Sequence, residues 1–313
     1  MVSRRSNSIV TGALNILVTG SGGLVGSALM PRLAEQGHCV RPLTRAANAR
    51  AGEISWNPPS EGPDPALLEG MDAVIHLAGE SIASRWTEKK KRTIRESRVR
   101  GTGALAASLA RMKKPPAVLI SASAVGYYGD RGDEILREDS PPGDGFLAEV
   151  CRQWETAAEP ASQKGIRVVH LRLGVVLSGR GGALGKMLLP FKMGIGGRIG
   201  SGRQYMSWIA LEDVLQIIQF ALTLDSLRGP VNAAAPNPVT NEEFAKTLGR
   251  VLNRPTFFSM PAFAARLAFG EMAEAVLLGG ARVEPAKLIR SGYSFRYPHL
   301  EGALRHLLED AHR

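Results

Sequence analysis

The chain has 313 residues, 44% of them hydrophobic and 22% charged, with a formal net charge of +10. That balance excludes a disordered chain and allows one large domain or two around sizeable cores. No apolar run is long enough to span a bilayer, so no membrane partner is expected; Cys39 and Cys151 are too few for a disulfide framework or a cysteine-rich metal site.

The opening residues are polar and basic, and no secretory apolar segment follows them. Residues 1–13 therefore read as a disordered arm, and a reducing cytoplasm fits. Residues 14–18 form an apolar run that reads as a buried strand. It leads into Thr19-Gly20-Ser21-Gly22-Gly23-Leu24-Val25-Gly26, and then Val25, Leu29 and Leu33 recur at helical spacing. Strand, glycine turn and helix in that order form the first half of a dinucleotide-binding unit. Gly20 allows the tight turn, Gly23 lets backbone approach a pyrophosphate, and Gly26 lets the helix sit close to the strand. The free N–H groups at the helix start then face the phosphates.

Gly37 ends that helix, and residues 38–43 read as the second strand, with Thr44 and Arg45 at its C-terminal end. An NAD site wants an acid there to accept from the ribose 2′-hydroxyl. Thr44 and Arg45 instead suit a 2′-phosphate, through a hydroxyl and a charge-assisted fork, which favours NADP(H) over NAD(H). Residues 53–56 are a short strand candidate and 57–65 a proline-rich loop. Residues 71–79 read as a strand that ends in the small residues Ala78 and Gly79, against which a flat ring can lie. His38 and His76 belong to these strands and read as structural, since no histidine has ligand spacing.

A long helix is expected from Glu88 to Met112, with Arg98 on its polar side, passing beneath the cofactor. Its basic run Lys89-Lys90-Lys91-Arg92 raises nucleic acid as a partner. The other cations are dispersed and aromatics make up only 6%, so that reading ranks last. Residues 117–121 are a further strand, followed by Ala122-Ser123-Ala124-Val125-Gly126-Tyr127-Tyr128-Gly129. A hydroxyl at the end of a central strand is where such a sheet places its ligand, which nominates Ser123. Residues 130–145 read as a loop, 146–161 as helix and 166–173 as strand. Residues 177–202 are crowded with glycine around a short helical piece at 187–191. A helix is expected from Trp208 through Val214, a strand at 229–234, and a helix opened by Thr240 with Glu243 three residues on. Short helices follow at 261–270, 271–278 and 300–308.

Taken together, these pieces resemble the extended short-chain dehydrogenase/reductase superfamily of the NAD-dependent epimerase/dehydratase type, over nearly the whole chain. The matching pieces are the glycine turn, Asp72-x-x-Ile75-His76-Leu77-Ala78-Gly79, Ser123, Arg172-Leu173-Gly174-Val175-Val176 and Trp208-Ile209-x-x-Glu212-Asp213-Val214. More narrowly, the chain is similar to an atypical subgroup of epimerase family proteins of uncertain substrate. Glu96-Ser97-Arg98, Tyr127-Tyr128-Gly129 and the run from Phe146 to Glu155 with Cys151 and Trp154 carry that likeness.

The resemblance implies an α/β fold: a Rossmann-type doubly wound parallel sheet with helices on both faces over 14–176, continued by 203–235. A smaller mixed α/β substrate domain would comprise 177–202 and 236–313. Implied cofactor contacts are Gly20, Ser21, Gly22, Gly23, Leu24, Val25, Gly26, Thr44, Arg45, Leu77, Ala78, Gly79 and Val175, with Arg98 as a phosphate ligand. The superfamily's Tyr-x-x-x-Lys pair is missing, since its positions hold Phe146 and Val150. Ser123 is then the expected substrate contact, and Tyr128 a candidate acid–base group in the tyrosine's stead. The expected partner is a small molecule, a sugar nucleotide or small carbonyl turned over by hydride transfer, with a homodimer as one arrangement. The alternative is a non-catalytic NADP(H)-binding regulator.

Overall fold

Strand β1 (Asn15–Thr19) sets the layering: Ile16 and Val18 face one side, Leu17 the other, and all three are fully buried. A strand buried on both faces belongs in a parallel sheet covered by helices. In the computed structural model, which describes residues 12–45, 52–57 and 61–309, that is what forms. The expected N-terminal arm lies outside the described residues except for Gly12 and Ala13.

The chain continues through α1 (Leu24–Glu35), β2 (Cys39–Thr44), β3 (Ile54–Ser55), α2 (Pro65–Leu68), β4 (Ala73–His76), α3 (Glu88–Arg111) and β5 (Val118–Ala124). A 3-10 turn (Val125–Tyr128) and β6 (Ile135–Leu136) lead to α4 (Phe146–Thr156), α5 (Glu159–Gln163), β7 (Arg167–Leu173), β8 (Val175–Ser178) and α6 (Gly182–Lys192). Then come β9 (Tyr205–Met206), β10 (Trp208–Ala210), α7 (Leu211–Thr223), β11 (Gly229–Ala233), β12 (Val239–Thr240), α8 (Asn241–Leu252) and α9 (Ala262–Phe269). A π-helical stretch (Ala273–Leu278), β13 (Arg282–Val283), α10 (Ala286–Arg290) and α11 (Leu300–Glu309) complete it.

Seven parallel strands lie in the order β3-β2-β1-β4-β5-β7-β11. The order reverses between β1 and β4, the switch point at which such sheets open a crevice at their carboxyl ends. One face packs on α1 and α7 through Leu29, Leu33, Val214, Ile217 and Ile218. The other packs on α2, α3 and α5 through Leu68, Leu105, Leu109 and Ala161. A third core joins α6, α8 and α11 through Leu184, Phe191, Phe244, Leu248 and Leu304, around Trp208.

Three local expectations change. Residues 208–210 form strand β10, which pairs in parallel with β8, so the helix begins only at Leu211. Of the 203–235 stretch expected to continue the sheet, only β11 does so; β9 and β10 join two-stranded ladders. The glycine-rich segment carries a longer helix than expected, Gly182–Lys192, with Pro190 inside it. Other local readings match closely. The long helix ends within a residue of its expected bounds, and Thr240 and Glu243 form a reciprocal capping box.

Candidate functional site

The site grows from the end of β1. Gly20 adopts φ +70°, and a Cβ there would stand 2.7 Å from the Leu77 carbonyl carbon. Only glycine both turns the chain at that point and lets it touch the end of β4. A Cβ on Gly26 would stand 2.2 Å from the Gly20 carbonyl oxygen, so the third glycine is fixed by helix–turn packing. Gly22 has open space around it, and a Cβ on Gly23 would meet only the Gly20 oxygen, at 3.2 Å. Helix α1 starts with neither a side-chain cap nor an acid in its first turn. Its orphan N–H groups and the positive end of its dipole are thus left for an anion.

The floor of this turn is polar and closed. Thr19 Oγ1 accepts from the Leu77 and Ala78 amides at 3.2 Å each and lies 2.7 Å from His76 Nδ1. With its lone pairs engaged, the Thr19 hydroxyl gives its proton to Nδ1. The imidazole therefore carries its own proton on Nε2, which donates to Thr102 Oγ1 at 2.9 Å. Trp154 Nε1 donates to the same oxygen at 2.8 Å. The relay ties β1, β4, α3 and α4 together under the crevice. Burial holds His76 down to about 4, so it is neutral and structural, as its place in a strand suggested.

Arg98 comes to this floor from α3. Its guanidinium lies over the Trp154 ring at 5.0 Å, and its carbon is 3.4 Å from where a Cβ on Gly79 would be. Nη1 donates to the carbonyls of Glu80 and Ile94 at 2.9 and 3.2 Å; among the described residues Nη2 donates to none. Burial pulls its pKa below the ordinary value. The structure thus brings together the glycine turn, Leu77, Ala78, Gly79 and Arg98. Thr44 ends β2, next in the sheet to β1, and Arg45 follows it, exposed. Val175 opens β8, and a Cβ on Gly182, at the start of α6, would stand 2.8 Å from a Leu24 methyl, so the glycine-rich segment leans on the turn itself.

On the other half of the sheet edge both nominated hydroxyls are bonded within the protein. Strand β5 runs on to Ala124, and its alternation turns Ser123 inward beneath α4. Ser123 is only 2% exposed and donates to Glu155 Oε1 at 2.7 Å. Arg172 holds both Glu155 oxygens, from Nε and Nη2, at 2.8 Å each. Burial opposes the guanidinium charge, the Glu155 carboxylate outweighs it, and the Arg172 pKa ends above its usual value. Tyr128 is 0% exposed; its hydroxyl accepts from Arg172 Nη1 at 2.9 Å and shares its proton between Asn232 Oδ1 at 2.7 Å and the Arg137 carbonyl at 2.9 Å. Burial pushes the phenol up to about 12. Ser123 and Tyr128 are members of one buried network, and the side chain at the exposed end of β5 is Ala124, which has no proton to give.

Phe146 and Val150 put no acid–base group at the two α4 positions of the usual pair. Phe146 packs edge-on against Trp86 at 5.2 Å, within a small apolar cluster completed by Ile82, Phe269, Met272 and Leu277. That cluster joins the loop after β4 to the C-terminal region. Arg85 Nη1 donates to the Leu267 carbonyl at 3.0 Å, and Lys186 Nζ to the Ala83 carbonyl at 3.1 Å. Two cations of the basic run on α3 are paired, Lys90 with Glu80 and Lys91 with Glu88 and Glu271. Lys91 and Arg95 also border a cavity of about 720 Å³ on the outer side of α3 and α4, where Glu149 and Asp144 balance them.

His76, Thr102, Glu155 and Arg172 are the residues that reasoning from sequence did not connect. All but Thr102 lie inside the motifs that carry the family resemblance, but their partnership depends on strand register.

Comparisons with known proteins follow the same outline. The sequence profile of the NAD dependent epimerase/dehydratase family matches residues 16–234, and that of a domain of unknown function, DUF1731, matches residues 260–307. An epimerase family protein of Mycobacterium bovis is 47% identical over 290 residues, covering 92% of this chain and 96% of its own. The crystal structure of the human epimerase family protein SDR39U1 (isoform 2) with NADPH superposes with a TM-score of 0.87 at 35% identity, covering 95% of this chain and all of that one. The nucleoside-diphosphate sugar epimerase of Corynebacterium glutamicum gives a TM-score of 0.81 at 41% identity, over 96% of this chain and 59% of that one.

Proposed function

The chain belongs to the NAD-dependent epimerase/dehydratase family, and on that premise we propose that it binds NADP(H) at the switch point between β1 and β4 and uses it on a small carbonyl or sugar-nucleotide substrate. The observation that carries the reading is the uncapped start of α1 behind an open glycine turn, with the Arg98 guanidinium held against Gly79. In this reading the amides of residues 21–26 hold the pyrophosphate. Thr44 and Arg45 take the 2′-phosphate, Arg98 a further phosphate oxygen, and the backbone of Leu77–Gly79 supports the ribose. Val175 borders the nicotinamide end. NADPH in the human relative supports the choice of cofactor.

The bound nicotinamide would supply hydride transfer; the chain's own part is to orient it and exclude water. No side chain of the usual acid–base pair is present, so the proton must pass between substrate and water. The sealed state of Ser123 and Tyr128 favours a second reading, an NADP(H)-binding regulator without turnover. The two free cysteines, Cys39 and Cys151, suit a reducing compartment such as the cytoplasm.

Titration with NADPH and NADH at fixed salt tests the site, and a panel of sugar nucleotides and small carbonyls tests the chemistry. NADPH preference with substrate-dependent oxidation supports the enzyme. Saturable binding without turnover across the panel supports the regulator. Failure to bind either dinucleotide overturns both.

A further inference from the structure

The C-terminal region carries apolar side chains that nothing among the described residues covers. On α6, Leu189 and Met193 stand one turn apart on the outer face, and Ile195 follows. The segment after α6 runs beside residues 254–260. Arg254 Nε donates to the Lys192 carbonyl at 2.9 Å, the Met260 amide to the Arg198 carbonyl at 2.9 Å, and the Gly200 amide to the Met260 carbonyl at 2.8 Å. Phe257 is 91% exposed on this second segment, with Phe258 beside it. Helix α9 follows directly, and its Phe263 and Leu267, again one turn apart, are 71% and 75% exposed while Ala265 faces inward. Three elements of this region therefore each leave large apolar residues exposed, and exposed apolar side chains gathered in one region mark an interaction surface.

Charge narrows the choice of partner. The sequence has no Asp or Glu between Glu159 and Glu212, and none between Glu243 and Glu271. The ledge is built wholly from these two acid-free stretches. Lys192, Arg198 and Arg254 are exposed in this region and among the described residues form no ion pair, while the acids that border it, Glu242 near Phe257 and Phe258 and Glu274 beside α9, are paired with Lys246 and Arg266. A second copy of the chain docking by this face would bring cation against cation. A groove for a peptide would need walls, whereas Phe257, Phe263 and Leu267 protrude. A lipid interface needs no shape complementarity: it accepts protruding apolar side chains at the headgroup boundary and attracts the cations around them.

We propose that the ledge formed by α6, residues 254–260 and α9 docks the protein on the surface of an anionic phospholipid bilayer. The mode is peripheral, in keeping with the lack of any helix, among the described residues, long and apolar enough to cross a membrane. The docked face does not include the glycine turn or Arg98, so the inference stands apart from the cofactor reading.

Co-flotation of the full chain with vesicles tests it. Vesicles of phosphatidylcholine mixed with phosphatidylglycerol should carry the protein, pure phosphatidylcholine vesicles should not, and rising salt should release it. Replacing two tips, Phe257→Ser with Leu267→Ser, should lower the bound fraction about tenfold, because both side chains lose their apolar burial. A second variant, Lys192→Glu with Arg254→Glu, should do the same through charge alone, so a misfolded apolar variant does not decide the matter. Circular dichroism melting curves identify the variants that keep the fold. The proposal fails if the unaltered chain does not float with the anionic vesicles, or if folded variants of both kinds float as it does. It also fails if light scattering shows a dimer that these substitutions dissociate, which would assign the ledge to a second copy.

Discussion

The two halves of the sheet's carboxyl edge are built in opposite ways. Around β1, β2 and β4 the backbone ends in a glycine turn, the helix start lacks a cap, and the nearby side chains at Arg45 and Arg98 are cationic. Around β5, β7 and β11 one chain of polar side chains is spent on its own members: Ser123 on Glu155, Glu155 on Arg172, Arg172 on Tyr128, and Tyr128 on Asn232. Both halves lie where a doubly wound sheet presents its ligand. The difference teaches that position on the edge is not enough. A group is available to a ligand when its hydrogen-bonding capacity is unspent, and Ser123 and Tyr128 in the second half do not meet that condition. The second half holds the sheet to α4 and to the loop before it.

Breaking the sealed half should cost most. In Arg172→Leu the Glu155 carboxylate stays buried without its cation, and the Tyr128 and Ser123 bonds lose their anchor. Removing one partner of a buried pair typically costs about 3–5 kcal/mol. Urea unfolding should show a loss of that size, while the folded fraction should still bind NADPH with ordinary affinity. Loss of cofactor binding at full stability would mean that the two halves are not separate. The next largest effect is acid sensitivity at His76, which lies between them. Its folded pKa is lowered to about 4 from 6.5, so the unfolded chain takes up the proton first. The imidazole's contribution is complete above pH 6.5 and drains away as pH falls toward 4, a change of about 3 kcal/mol. His76→Gln, which cannot titrate, should flatten that part of the stability–pH curve; an unchanged slope would remove His76 from the account.

How far the comparison could be read from sequence differs between the halves for a physical reason. The open half is local. Apolar residues 14–18, three spaced glycines and a helical period lie within about twenty residues of one another, and Gly20 and Gly26 are demanded by contacts that the spacing already implies. Thr44, Arg45 and the small residues at 78 and 79 follow at strand ends that hydropathy marks well. The sealed half is nonlocal. Ser123 is nominated as a hydroxyl near the C-terminal end of a central strand, and its hydrogen bond to Glu155 lies beyond what the sequence shows. The strand runs to Ala124, and side chains alternate, so the strand decides which residue faces α4 and which the crevice. The Glu155–Arg172 pair joins α4 to β7 and depends on register, which no periodicity reveals. Trp208-Ile209-Ala210 failed for another reason: a short apolar run fits a strand and a buried helix turn equally well. The register with Val175, Val176 and Leu177 makes it a strand.

The open half can be broken at one atom position. Valine at position 23 would place its Cβ 3.2 Å from the Gly20 oxygen and its methyls in front of the α1 amides. The Gly23 backbone is extended, with φ −80°, so the fold should tolerate the change. NADPH affinity in Gly23→Val should fall by about 100-fold or more, equivalent to about 3 kcal/mol, with little change in melting temperature. Normal affinity would place the pyrophosphate elsewhere and dissolve the contrast between the halves.

The smallest expected effect is the most specific. Arg45 is exposed at the end of β2, so its contact with a 2′-phosphate would be screened by solvent and salt. One such charge-assisted contact is worth about 1.4 kcal/mol, or about tenfold in affinity. Arg45→Ala should therefore weaken NADPH about tenfold and leave NADH nearly unchanged, because only NADPH presents that phosphate. Calorimetric titration with both dinucleotides reads the ratio directly, and the NADPH effect should shrink as salt is raised. Arg98 provides the counterpart. It is half-buried, stacked on Trp154 and next to Gly79, where both dinucleotides would present the same groups. Arg98→Ala should weaken the two about equally. Equal weakening by Arg45→Ala would instead move the discrimination away from β2, and the preference for NADPH would then need a second cation to explain it.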